Sequence, residues 1–205
     1  KEIGVLMSLT LVAKPTIVDR FIKRSIATDI ALVLAGSVLT AVAAQISIPA
    51  YPVPFTLQTL VVLLVGATLG SRRGLLSLGL YALIGLAGLP VFAPKADGSH
   101  VVGVDAFVGP TAGFIFGFII AAFVVGLLAE RKWSSNVLKT FVAFVAGSAV
   151  IYLVGVPVLA SAAFEGSVSA AVTYMVPFMV WDVVKAVIAA GLLPGAWLLV
   201  KKTQG

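Results

Sequence analysis

Residues 111–129 contain no Asp, Glu, Lys or Arg, and five other stretches of the chain come close to the same condition. As a helix, this segment is roughly 28 Å long, near the ~30 Å thickness of a bilayer's hydrocarbon core. The companion runs cover 26–47, 56–70, 75–89, 137–163 and 170–200, the 56–70 and 75–89 runs being the short ones. Pro49, Pro52 and Pro54 separate the first two, because proline cannot continue a helix. Charged residues make up only 11% of the chain, where a soluble domain carries about a quarter. That is too few to cover a water-soluble globule, and a chain that is 60% hydrophobic is too apolar to stay disordered. The expected fold class is an all-α integral membrane protein with six transmembrane helices.

The position of the charges gives the direction of the spans. Lys1, Lys14, Arg20, Lys23 and Arg24 precede the first run, and Arg72/Arg73, Arg131/Lys132 and Lys201/Lys202 fall at alternate connections. The opposite connections hold Lys95 together with Asp97, Asp105 and Glu165. Basic residues collect on the cytoplasmic side, so both termini are expected inside, with outer connections near 48–55, 90–110 and 164–169. Residues 1–25 read as a cytoplasmic or interfacial segment, an amphipathic helix on the inner membrane surface rather than a cleaved signal. Residues 26–202 form the six-helix domain. Asp29 reads as solvated at the inner interface and His100 as a solvent-facing loop residue.

Small residues recur every fourth position. Ala27, Ala31 and Ala35 form one stripe, and Gly109, Gly113 and Gly117 another. Such faces let helices approach closely in lipid. The glycine stripe is expected to make contacts inside the bundle, whereas the alanine stripe suits either the bundle or a partner subunit. The outer ends of spans two, four and six are helix N-termini, whose unpaired N–H groups favour an anion. Pro110 falls where a first helical residue stands, with Thr111 next, and Thr56 is the expected cap of span two, shortly before Gln58.

The sixth run holds two ionisable residues, Asp182 and Lys185. Their i,i+3 spacing puts them on one helical face. Counted from Lys201 they lie roughly 28 and 24 Å above the cytoplasmic anchor, in the outer third of the bilayer. Charges inside a span are costly; they pair, line a cavity, or both. Either a self-neutralising structural pair or a pocket-facing pair satisfies the sequence. A pocket-facing pair offers an acceptor-only carboxylate beside a donor-only ammonium, which suits a ureido or amide group. The chain has no Cys, and neither a phosphate-binding G-x-x-x-x-G-K-[ST] loop nor an H-E-x-x-H or G-x-S-x-G motif occurs. A binding or transport protein is expected, with no enzyme activity and no metal.

The stretch from Gln45 through Pro49 to Val53-Pro54-Phe55-Thr56-Leu57-Gln58-Thr59-Leu60 closely resembles the BioY family, the biotin-specific S components of energy-coupling-factor (ECF) vitamin transporters. Gly85 to Phe92, Gly109 to Phe114 and the Asp182/Lys185 pair match the same family, from about Ile26 to Lys202 and excluding the first 25 residues. The second glycine of many members is here Ala112. The resemblance implies a six-helix S-component bundle in a prokaryotic plasma membrane that captures biotin from outside. It implies as partners a transmembrane coupling subunit and two cytoplasmic ATPases, some members being proposed to transport alone. It assigns Asp182 and Lys185 to the bicyclic ring, and makes Ala27/Ala31/Ala35 the face towards the coupling subunit. Biotin's carboxylate is then expected near Thr56 and Thr111, with Gln58 close by. Phe55, Phe92 and Tyr81 are expected as apolar wall. An S component for another small vitamin, or a membrane protein without a ligand, remain the alternatives.

Overall fold

The computed structural model describes residues 16–95 and 97–204, with side chains described as far as residue 199. The expected N-terminal amphipathic helix lies largely outside the described residues. A short 3-10 turn, Val18–Arg20, leads into α1, Ile26–Gln45. Ser25 starts α1 with a capping box: its hydroxyl accepts from the Thr28 N–H at 3.1 Å, and the Thr28 hydroxyl accepts from the Ser25 N–H at 2.9 Å. The proline-rich stretch forms a small antiparallel hairpin of β1, Ser47–Ile48, and β2, Phe55–Thr56, with Ser47 opposite Thr56 and Ile48 opposite Phe55. Five further helices follow among the described residues: α2, Gln58–Leu69; α3, Ser71–Leu86; α4, Ala112–Glu130; α5, Val137–Ala163; and α6, Val168–Gln204, with a long, mostly irregular connection between α3 and α4.

Four of these helices, α1, α4, α5 and α6, are long and apolar enough to cross a membrane. The protein is a multi-pass membrane protein of helical architecture. Helices α2 and α3 have 12 and 16 residues, roughly 18 and 24 Å.

Two expectations are corrected at the starts of α3 and α4. No loop carries Arg72 and Arg73: only Gly70 separates α2 from α3, at φ 90°, a conformation that a side chain disfavours. Both arginines lie in the first turn of α3. The acceptor at that N-terminus is Glu130, the last residue of α4, which receives the Ser71 N–H at 2.8 Å and the Ser71 hydroxyl at 2.7 Å. A carboxylate there satisfies an orphan donor and opposes the helix dipole. Helix α4 begins at Ala112, with Thr111 as N-cap and Pro110 outside the helix, because the chain first makes a turn through Gly109.

Asp29 is not solvated. It is 2% exposed and receives the Nε (2.7 Å) and Nη2 of Arg73, itself 1% exposed. Nη1 of Arg73 reaches Asp19 at 2.9 Å, and Arg24 stands 3.2 Å from the same carboxylate. The first turn of α3 thereby clamps α1 and the segment before it. Burial works against an ionised Asp19. The Thr16 N–H, Arg73, Arg24 and the Thr16 hydroxyl outweigh it and hold the carboxyl below its ordinary range.

Helix α4 is the most enclosed span and packs on α2, α3 and α5. A β-carbon at Gly113 would lie 2.7 Å from the Val154 carbonyl oxygen, and one at Gly117 3.0 Å from Ile151 Cα. Those two glycines thus seat α4 against α5, as expected for contact inside the bundle; Gly109 lies ahead of the helix. Ala27, Ala31 and Ala35 are exposed, on a face of α1 that also exposes Ile30, Leu34 and Val38.

Candidate functional site

A cavity of about 410 Å³ lies at the end of the bundle that carries the hairpin and the 89–110 connection. That volume falls within the range of small-molecule sites. All eight residues expected at a ligand line it: Asp182, Lys185, Thr56, Gln58, Phe55, Phe92, Thr111 and Tyr81. Five different elements contribute them, so the sequence spacing alone does not bring them together.

Asp182 and Lys185 occupy one face of α6, with Lys185 Nζ 3.0 Å from Asp182 Oδ1. Neither stands alone. The Thr59 hydroxyl, in the first turn of α2, donates to Asp182 Oδ1 at 2.6 Å and accepts from Lys185 Nζ at 2.6 Å. Lys185 also donates to the Thr56 carbonyl oxygen at 3.0 Å. Tyr152 of α5 donates to Asp182 Oδ2 at 2.6 Å. The three protons of the ammonium are thus all used, while Oδ2 keeps a lone pair for a further donor. Thr59 and Tyr152 were missed from the sequence. Thr59 stands beside Gln58 in the quoted motif and was legible; Tyr152 sits 30 residues from Asp182 in an apolar run, and nothing marked it.

Apolar rings close the other walls. Phe55 stacks tilted on Phe178 at 4.7 Å and lies under Lys185 Nζ at 5.7 Å. Tyr174 hydrogen-bonds the carbonyl oxygens of Tyr51 and Val53 at 3.1 and 3.2 Å, tying the hairpin turn to α6. Phe92 meets Tyr81 edge-on at 5.3 Å. Its carbonyl oxygen receives Gln45 Nε2 at 3.3 Å and lies 2.9 Å from His100 Nδ1. His100 is therefore half-buried and engaged with the loop, not simply solvent-facing. Tyr81 is more than apolar wall, because its hydroxyl accepts from Gln58 Nε2 at 2.8 Å.

Thr56 is part of β2, and Leu57 is the N-cap of α2. The Thr56 hydroxyl still accepts from the Gln58 N–H at 3.2 Å, a partial cap. The N-terminal ends of α2 and α4 border the cavity through Thr56, Gln58 and Thr111, whereas no residue of the first turn of α6 lines it. At the mouth stand Lys95, Asp97 and Asp105. The Ser99 hydroxyl and N–H hold the Asp97 carboxyl below its ordinary range.

The BioY family profile matches residues 13–202, starting ahead of the Ile26 boundary read from the sequence. The chain is 44% identical over 161 residues to the biotin transporter BioY of Thermotoga maritima, covering 78% of this chain and 90% of that protein. It is 38% identical to the probable biotin transporter BioY of Pyrococcus horikoshii, covering 80% of this chain and 92% of that one. The fold is similar to the crystal structure of the S component for biotin from an ECF-type ABC transporter, with TM-score 0.69, 20% identity, and coverage of 82% of this chain and 89% of that chain. The helical architecture accords with this match over most of the sequence. The chain belongs to the BioY family.

Proposed function

We propose that this chain is the membrane-embedded biotin-binding subunit of a vitamin uptake system, capturing biotin from the outer side. The observation that carries the reading is the cavity in which Asp182 and Lys185 form a polar end beside aromatic walls. Biotin combines a ureido group with an apolar bicyclic body and an acidic tail. Asp182 Oδ2 accepts a ureido N–H, Phe55 and Phe92 pack on the rings, and the carboxylate lies towards Thr111 at the N-terminus of α4; Thr56, whose carbonyl oxygen holds Lys185 at 3.0 Å, belongs to the ureido end.

Six spans with both termini inside fit the basic residues ahead of α1, in the first turn of α3, after α4 and at the end of α6. A bundle of this size has too few spans for a self-contained inverted-repeat transporter, so release is assigned to an ECF energising module of a transmembrane coupling subunit and two ATPases. The exposed stripe Ala27/Ala31/Ala35 on α1 is the contact for the coupling subunit. The site of action is the prokaryotic plasma membrane, and residues 26–202 are the binding domain.

The test is titration of the detergent-purified chain with biotin. Saturable binding is expected, and Asp182→Asn is expected to weaken it at least tenfold, about 1.4 kcal/mol. No binding to the wild type would overturn the function; equal binding by the variant would overturn the site.

A further inference from the structure

The Asp182 network leaves one part of the cavity's polar capacity unexplained. Gln58 and Tyr81 both line the cavity and are 6% and 1% exposed. Gln58 Nε2 donates to the Tyr81 hydroxyl at 2.8 Å, and no other hydrogen-bond partner of either side chain occurs among the described residues. Two capacities therefore remain: the phenol proton of Tyr81 and the amide oxygen of Gln58. Among the described residues the sealed, unpartnered side-chain polar atom is Ser37 Oγ, so Gln58 Oε1 is reached from open space. Both capacities belong to cavity-lining side chains, so a ligand that brings a donor to Gln58 Oε1 and an acceptor to the Tyr81 hydroxyl replaces their hydration with direct hydrogen bonds.

Their location narrows the ligand. Gln58 and Thr59 are consecutive in the first turn of α2: Thr59 turns to Asp182 and Lys185, Gln58 to Tyr81 of α3. The two polar stations thus flank the cavity from one helical turn. A cyclic urea has a carbonyl between two N–H groups, so it presents two edges, each with a donor and a share of the acceptor. Asp182 accepts from one N–H. Lys185 has no proton left for the carbonyl, its three being taken by Thr56, Thr59 and Asp182.

We infer that Gln58 and Tyr81 form a second hydrogen-bonding station that reads the other edge of a cyclic urea. Gln58 Oε1 accepts from the second N–H, and the Tyr81 hydroxyl donates to the carbonyl oxygen. The inference rests on the biotin reading and sharpens it: the site selects a ring urea with two free N–H groups over a lactam or carbamate with one.

The experiment titrates the purified full chain with biotin and with its two mono-N-methylated ureido isomers. Wild type is expected to bind both isomers at least about tenfold more weakly than biotin, since each loses one N–H contact. In Gln58→Ala one isomer's penalty falls to within about threefold of biotin while the other's persists, and the same selectivity in Gln58→Met, which keeps the side-chain volume without the amide oxygen, separates the lost contact from added room. Tyr81→Phe, with unchanged thermal unfolding of the ligand-free protein, binds biotin at least about tenfold more weakly. Equal biotin binding by Tyr81→Phe, or penalties for both isomers that Gln58→Ala leaves untouched, overturns the second station. Failure of wild type to bind biotin overturns the functional reading and this inference with it.

Discussion

Tyr152 of α5 donates its phenol proton to Asp182 Oδ2 of α6 across 2.6 Å, joining two helices at the polar end of the cavity. The bond fixes the carboxylate plane and leaves one lone pair of Oδ2 towards the cavity. A hydrogen bond to a charged group contributes about 1.5–3 kcal/mol. Tyr152→Phe should therefore weaken biotin binding by about tenfold or more while the ring keeps its edge-on contact with Phe114 at 6.4 Å. Calorimetric titration of the variant checks this, and unchanged affinity would remove Tyr152 from the site.

Arg73 is the largest fully buried side chain, and it binds two carboxylates from the chain segment around α1. Arg73→Leu takes the guanidinium away from Asp29 and Asp19 at a site with little access to water. Breaking a buried pair by deleting one partner costs about 3–5 kcal/mol. Thermal unfolding in detergent should drop accordingly, and Asp29→Asn added to Arg73→Leu should recover part of the loss. A double variant no more stable than the single one would show that the charge pairing is not what Arg73 supplies.

Asp19 gives the clamp a pH dependence of definite sign. Its folded carboxyl titrates below the ordinary value of about 3.9, so in that interval the unfolded chain binds more protons than the folded one. The stabilisation is complete above about pH 5 and disappears as pH falls through the folded value. The stability gap between wild type and Asp19→Asn should stay level from about pH 8 to 5 and narrow below about pH 4. A gap that already closes near pH 6 would contradict a depressed carboxyl.

Much of this fold was legible in the sequence because the bilayer restricts it to apolar helices, and charge-free runs mark them. Asp182 and Lys185 stood out because charges inside a span are rare. The same logic misjudged Asp29 and Arg73. Each sits at the edge of an apolar run, where a charge usually meets water, and their pairing depends on α2 and α3 being joined by Gly70 alone. Tyr152 was hidden for the opposite reason, since a tyrosine in an apolar run is indistinguishable from packing until a carboxylate faces it. Local sequence carries helix boundaries; pairs such as Gln58 with Tyr81, 23 residues apart, arise only when helices dock.

The α2–α3 junction packs on the backbone of α4 at Gly126. A β-carbon there would stand 2.5 Å from Ser71 Cα and from the Gly70 carbonyl carbon, neither of which is a flexible side-chain end. Gly126→Ala therefore pushes the first turn of α3 away from α4 and loosens the Ser71–Glu130 bonds that cap it. Overpacking of this kind costs about 1–3 kcal/mol. Gly191 of α6, with nothing within 4 Å of its missing β-carbon, supplies the control. Gly191→Ala should be neutral or stabilising by about 0.5–1 kcal/mol, through helix propensity alone. Gly126 lies about two turns beyond Phe118, the last residue of α4 to line the cavity, so the folded Gly126→Ala protein should keep its biotin affinity within about twofold. Parallel melting curves decide the matter: equal stability of the two alanine variants would mean that α4 and the junction have room that the backbone positions deny.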